Sequence, residues 1–74
     1  MKGIKEMENK LQAQRLKAGL SQSQLAKKSG VGVRVIQCYE IGARDINKGQ
    51  VMAVLKLANA LDVQIQDILN PEEE

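Results

Sequence analysis

Residues 21–42 read SQSQLAKKSGVGVRVIQCYEIG. Ser21 is a capping residue, and Gln24, three positions on, completes a capping box. Leu20 and Leu25 flank that start as a hydrophobic staple. The helix so begun runs to about Ser29, where Gly30 breaks it and permits a sharp turn. Gly32 then caps another helix, more weakly than serine does, because it has no side-chain acceptor. Val31 and Ile36 are spaced to repeat the staple around it. This helix ends near Ile41, with Gly42 as its C-terminal glycine. The valines at 31, 33 and 35 alternate as in a strand, but the run is short and lies within helical pattern. Leu25 with Ala26, and Val35 with Ile36, bracket the turn and join the helices at a steep angle. The outer face of the later helix carries Val33, Arg34, Gln37 and Cys38, which that packing does not need.

Upstream, residues 5–18 carry Met7, Leu11, Arg15 and Ala18 at spacings of three and four, with Ile4 extending the stripe backwards. That periodicity predicts an amphipathic first helix, ended by Gly19 in the left-handed conformation. Downstream, residues 43–46 read as a polar connector. Asn47 with Gln50 reads as another capping box, and Ile46 with Val51 as another staple. The fourth helix runs to Leu61. Val51, Val54, Leu55, Leu57, Ala58 and Leu61 cover more than half its circumference, so it is expected to be the most buried. A brief last helix over residues 64–69 returns Ile65, Ile68 and Leu69 to the core, and Asn70 with Pro71 stops it. The expected core includes Leu25, Val31, Ile36, Leu55, Ala58, Leu61 and Ile68. The whole, residues 1–74, is expected to be one all-α domain, a compact five-helix bundle with a frayed acidic tail over 70–74.

Composition narrows the function. At 43% apolar and 1% aromatic residues the core must be aliphatic. One cysteine and no histidine exclude an intrachain disulfide and argue against a zinc site. The start, MKGIKEMENK, has no apolar run after its lysines and does not read as a signal peptide. No stretch approaches the apolar length of a membrane span, and a reducing, cytoplasmic setting is expected. The net charge of +2 is uneven. Residues 1–56 hold all eleven basic residues against four acids, a net of +7, whereas residues 57–74 carry −5. A basic face for phosphates with an acidic end held apart fits that division, as does ordinary surface charge.

Two short helices around a glycine turn, the later one with a free polar face, form a unit suited to a DNA major groove. The succession GLSQ, LAKKSGV, IQCYEIG and LKLANALDV resembles the helix-turn-helix domain of the phage repressor and Cro family, over residues 11–69. The resemblance implies five helices, the third reading the major groove, and often a homodimer on a palindromic operator. It implies that Gln22 binds phosphate, that Gly32, Val33, Arg34, Gln37 and Cys38 face bases and backbone, and that Arg15 and Glu40 form a structural ion pair. The chain departs from the family where Gly32 replaces a frequent serine or threonine, where Asn47 stands in place of a connector proline, and where Gln14 replaces an apolar residue. With Val33 and Cys38 on the reading face, no known operator transfers to it.

The residue chemistry points the same way. Gln22, at a helix start, can offer its amide beside free backbone N–H groups to a phosphate, or simply be solvated. Arg34 suits guanine or phosphate, and Gln37 suits adenine through its two-sided amide. Val33 suits a thymine methyl or the edge of the core. Cys38 suits a backbone contact or a half-buried site without a task. Arg15 interrupts an apolar stripe and needs an anion, and Tyr39, the sole aromatic, suits the core. Lys27, Lys28, Arg44 and Lys48 are the remaining phosphate candidates.

An enzyme would need a histidine, a carboxylate pair or a glycine-rich phosphate loop, and none is present. No cofactor is therefore expected. RNA binding by base stacking is disfavoured by the lack of aromatics. The expectation is a sequence-specific double-stranded DNA binder, most simply a transcriptional repressor. The rival is a protein-interaction or antitoxin-like module of the same fold, using an exposed Met52.

Overall fold

The computed structural model describes residues 9–70. The expectations at Ile4 and Met7, the start of the first helix over residues 5–8, and the tail beyond Asn70 lie outside them. In chain order come α1 (Lys10–Lys17), α2 (Gln22–Ser29), α3 (Val33–Ile41), a 3-10 turn (Ile46–Lys48), α4 (Val51–Leu61) and a second 3-10 turn (Ile65–Asp67). The described chain thus has four α-helices and two 3-10 turns, and the five-helix expectation is corrected. The expected fifth helix is a single 3-10 turn, closed by local hydrogen bonds. Asp62, in the left-handed conformation (φ 59°), ends α4, and Pro71 stands nine residues on. Within that interval Asp67 folds its carboxylate back onto the Gln64 N–H at 3.0 Å. Ile68 N–H bonds Ile65 O in the 3-10 pattern. The turn still delivers its apolar residue, since Ile68 is fully buried.

Local chemistry accounts for the first two helices. Asn9 is extended and caps α1 through its side chain, which accepts from the Gln12 N–H at 3.0 Å, so the helix expected to run through residue 9 begins at Lys10 instead. At the other end Gly19 N–H bonds Leu16 O and Leu20 N–H bonds Arg15 O, the paired bonds of a Schellman ending. The capping box of α2 is complete. Ser21 Oγ accepts from the Gln24 N–H at 3.0 Å, and Gln24 Oε1 accepts from the Ser21 N–H at 2.8 Å. Gly30 turns the chain at φ 80°, a region where the Cβ of an L residue crowds the following carbonyl oxygen. The next helix, α3, starts at Gly32 with no side-chain cap.

The connector differs from its sequence reading. Asp45, not Asn47, does the capping, accepting from the Asn47 N–H at 3.0 Å to start the first 3-10 turn. No side chain caps α4 at Gln50. Ile46 is buried, yet Val51 is 71% exposed, so the expected staple between them is absent. Ile46 instead drops into the core as the turn carries the chain past Tyr39. The Asn47 side chain is used elsewhere. Its Nδ2 donates to Asn70 O at 2.9 Å, and its Oδ1 accepts from the Asn70 N–H at 2.8 Å. One side chain thereby holds the last described residue as a neighbouring strand would.

Leu11, Leu25, Ile36, Ile46, Leu57 and Ile68 are the largest fully buried side chains and centre the core. Six of the seven residues named from periodicity are buried, and Leu55 is half-buried. The fourth helix carries the most buried positions, Val54, Leu57, Ala58, Ala60 and Leu61. Ala60, which periodicity left out, is buried, and Val51, which it included, is exposed on the opposite side. Leu16 on α1 is exposed, and so is Ala18 at its C-cap, which the apolar stripe had included. The shorter α2 packs chiefly on α4 and α3, so the turn at Gly30 stands on α4.

Candidate nucleic-acid interface

At about 100° per residue, Val33, Gln37, Ile41, Arg34 and Cys38 fall on one arc of α3, and Val35, Tyr39, Ile36 and Glu40 on the other. Burial follows that division. Ile36, Tyr39 and Glu40 are buried, whereas Val33, Arg34, Gln37 and Ile41 are exposed and Cys38 is half-buried. Ile41 was missed because the helix seemed to end there. Its spacing of four from Gln37 was the available signal.

The helix is aimed by a buried ion pair. Arg15 Nε donates to Glu40 Oε2 at 2.7 Å and Arg15 Nη2 to Glu40 Oε1 at 3.0 Å, so the two groups meet as a fork. Arg15 Nη1 donates to Leu20 O at 2.9 Å. The pair therefore joins α1, the link into α2 and the last turn of α3. Asn9 adds a second tie, donating Nδ2 to Tyr39 O at 2.9 Å. Among the described residues no buried side-chain polar atom lacks a partner, which is what lets an ion pair sit in so small a core.

Gln22, at the first position of α2, is half-buried and reaches inward. Its Nε2 donates to Glu40 Oε1 at 3.0 Å, and its Oε1 accepts from Gln37 Nε2 at 3.4 Å. One hydrogen of the Gln22 amide remains for an outside acceptor. Lys27 lines a shallow concavity with Ser23, Gly32 and Val33, on the α2 side of the turn. Lys28 is exposed about 100° further round α2 and does not join it. On the other side, Arg44 and Lys48 line a groove with Gly32, Tyr39, Gly49 and Met52 between the end of α3 and the start of α4. Lys56 belongs to that groove too. Sequence reading omitted it because a helix position with no motif gave no reason to single it out. The groove also holds Asp45, which offsets part of its charge.

Gly49 has a steric task there. A Cβ on it would overlap the Tyr39 hydroxyl and lie 2.9 Å from Tyr39 Cζ. Only a bare backbone lets the aromatic ring lie under the connector that carries Arg44 and Lys48.

Among the described residues, no three His, Cys, Asp or Glu side chains gather as a metal site requires. None of the described helices is long and apolar enough to cross a membrane. A family model described as helix-turn-helix matches residues 11–68, most of the chain. Neither a curated protein nor a solved structure matches it.

Proposed function

The chain belongs to the helix-turn-helix family, a non-catalytic family of DNA-binding regulators, and from that premise we propose that it is a repressor of the phage repressor and Cro type. It reads double-stranded DNA with α3 in the major groove, in the cytoplasm. The observation that carries this reading is the division of α3. Val33, Arg34 and Gln37 are exposed and free of the packing that holds the helix. Concavities with Lys27 on one side and Arg44 and Lys48 on the other flank the turn that precedes it.

In this reading contacts divide by task. Gln22, Lys27, Lys28, Arg44 and Lys48 hold phosphates, with Gly32 at the turn where the backbone approaches. Arg34 and Gln37 read base edges, Val33 meets a thymine methyl, and Cys38 touches the border of the site. One helix covers few base pairs, so a homodimer on a palindromic operator supplies the remaining discrimination. Val51 and Met52, 71% and 60% exposed at the start of α4, are available for the second copy. The same two residues favour the second reading, a protein-interaction or antitoxin-like role.

Selection from random duplexes, repeated with Gln37→Ala and Arg34→Ala, tests the main reading. A motif should emerge, and each substitution should relax one position at a cost of about 1–3 kcal/mol. Lys27→Ala or Arg44→Ala should weaken all sequences alike and lower the salt slope of log K by about 1. If no motif is enriched, or both α3 substitutions leave it unchanged, the protein-binding role takes its place. Sedimentation with a palindromic duplex tests the dimer, and one chain per duplex at saturation overturns it.

A further inference from the structure

The acidic end of the chain is tied to the basic connector. Asn47 Nδ2 donates to Asn70 O at 2.9 Å, and Asn47 Oδ1 accepts from the Asn70 N–H at 2.8 Å. Both main-chain groups of Asn70 are thus clamped by a side chain twenty-three residues back. The residue after that side chain is Lys48, with its Cα about 3.8 Å from that of Asn47. Lys48 lines the groove between α3 and α4 together with Arg44 and Lys56. The one acid in that groove is Asp45, and one of its carboxylate oxygens already accepts from the Asn47 N–H at 3.0 Å. The four side chains leave the groove a net charge of +2. Among the described residues the ion pair is Arg15 with Glu40, and none of the three groove cations shares in it.

Beyond Asn70 come Pro71, Glu72, Glu73 and Glu74. Pro71 disfavours a helical Asn70 and so disfavours a return over the last turn. Four residues span up to about 13–14 Å when extended. That is enough to pass from the Asn47 side chain to a groove that the neighbouring Lys48 itself lines. We propose that Glu72, Glu73 and Glu74 occupy this groove in the free protein and shield Arg44 and Lys48 until DNA displaces them. The clamp makes the encounter intramolecular, and a short tether of this kind sets an effective carboxylate concentration on the order of millimolar.

The docking stands on charge and reach alone. Its consequence rests on the phosphate role proposed for Arg44 and Lys48. Carboxylates and phosphates compete for the same cations, so the tail weakens binding to every sequence alike and leaves preference among bases to α3. Salt dependence changes with it. When DNA displaces the tail instead of mobile anions, log K falls less steeply with log salt than the number of phosphate contacts implies.

Two measurements on the full chain test it, wild type against the triple variant Glu72→Gln, Glu73→Gln, Glu74→Gln. The first uses no DNA. Backbone amide shifts of the two free proteins should differ at Arg44, Lys48, Gly49 and Lys56 at about 50 mM salt. They should converge near about 1 M, where the Debye length is about 3 Å. Differences confined to residues 70–74 overturn the docking. So do differences gathered at Lys10, which reaches the same end of the chain at Gln66 O. Differences that grow with protein concentration put the tail on a second copy and overturn it too. The second measurement is binding to a duplex of arbitrary sequence. At low salt the triple variant should bind about threefold to tenfold more tightly, with a salt slope steeper by about 1–2. Made in a chain that also carries Arg44→Gln and Lys48→Gln, the three changes should gain less than about twofold, because coupled sites are not additive. An equal gain in both backgrounds means that the tail only repels DNA, and shielding is wrong. If the shifts appear as expected and neither protein binds duplex, the tail is docked and the DNA-binding reading is what fails.

Discussion

The two helices on either side of Gly30 are nearly equal in length, eight and nine residues, and are held by different means. The earlier one, α2, is secured locally. Ser21 and Gln24 bond each other's backbone, and Leu25 is its one buried residue. Its partner α3 has no side-chain cap at Gly32 and buries Ile36, Tyr39 and Glu40. Its position rests on contacts from far along the chain: Arg15 from α1, Asn9 from before α1, and Gly49 from the connector. The helix that carries the proposed reading surface is thus set by tertiary contacts. The start of the one beside it is set by its own capping box. Damage to the cap of α2 should be local and small, and damage behind α3 should be large and move the reading face.

The sharpest break of that contrast is Glu40→Ala. It leaves the Arg15 guanidinium buried without its anion, and urea denaturation should show a loss of about 3–5 kcal/mol, enough to threaten folding in a small domain. Replacing both partners, Arg15→Met with Glu40→Leu, should recover most of that loss, because paired removal leaves no buried charge. If the double variant is no more stable than Glu40→Ala, the ion pair does more than satisfy itself. Next in size is Gly49→Ala. The added methyl must displace Tyr39 or the connector, at a cost of about 1–3 kcal/mol. A melting temperature equal to wild type would show that the ring moves freely.

Smaller effects belong to the locally held helix. Ser21→Ala removes one half of the capping box and should cost about 1 kcal/mol, a fall of roughly 4–8 °C in melting temperature. A loss as large as that of Glu40→Ala would erase the distinction between the two helices. The smallest effect has the opposite sign. Gly32 has φ −60° and ψ 143°, and an added Cβ meets nothing within 4 Å. Gly32→Ser should supply the missing cap and raise stability by about 0.5 kcal/mol, measured by the same denaturation. If stability falls, the start of α3 is less open than its geometry shows.

Much of the site was legible because it is built from short-range rules. The capping box at Ser21, the turn at Gly30 and the end at Gly42 each depend on residues within four positions. The outward arc of α3 follows from helical period alone, although Ile41 was overlooked at its end. Asn47 shows where such rules fail. Its spacing to Gln50 fits a capping box, but Asp45 captures the start of the turn two residues earlier and frees Asn47 for Asn70. Competition between two adjacent caps is decided by where the chain must go next, which spacing does not encode. The fifth helix failed for a similar reason. The apolar period at Ile65, Ile68 and Leu69 is real, but the Asp67 carboxylate on the Gln64 N–H and the Ile68-to-Ile65 bond close a single 3-10 turn there.

By itself the sequence determined the order of the four helices, the capped start of α2, the breaks at Gly19, Gly30 and Gly42, and the face of α3 that stays outside the core, since these depend on caps, glycines and period. Only the tertiary structure decided how α3 is aimed: that Gln22 turns inward to Glu40 and sideways to Gln37, and that Tyr39 lies against Gly49. Gln22 and Glu40 are eighteen residues apart. Their contact exists because packing of α1 and α2 around α3 brings a buried charge within reach of an amide, and a polar group so placed must be satisfied by whatever neighbour the fold supplies.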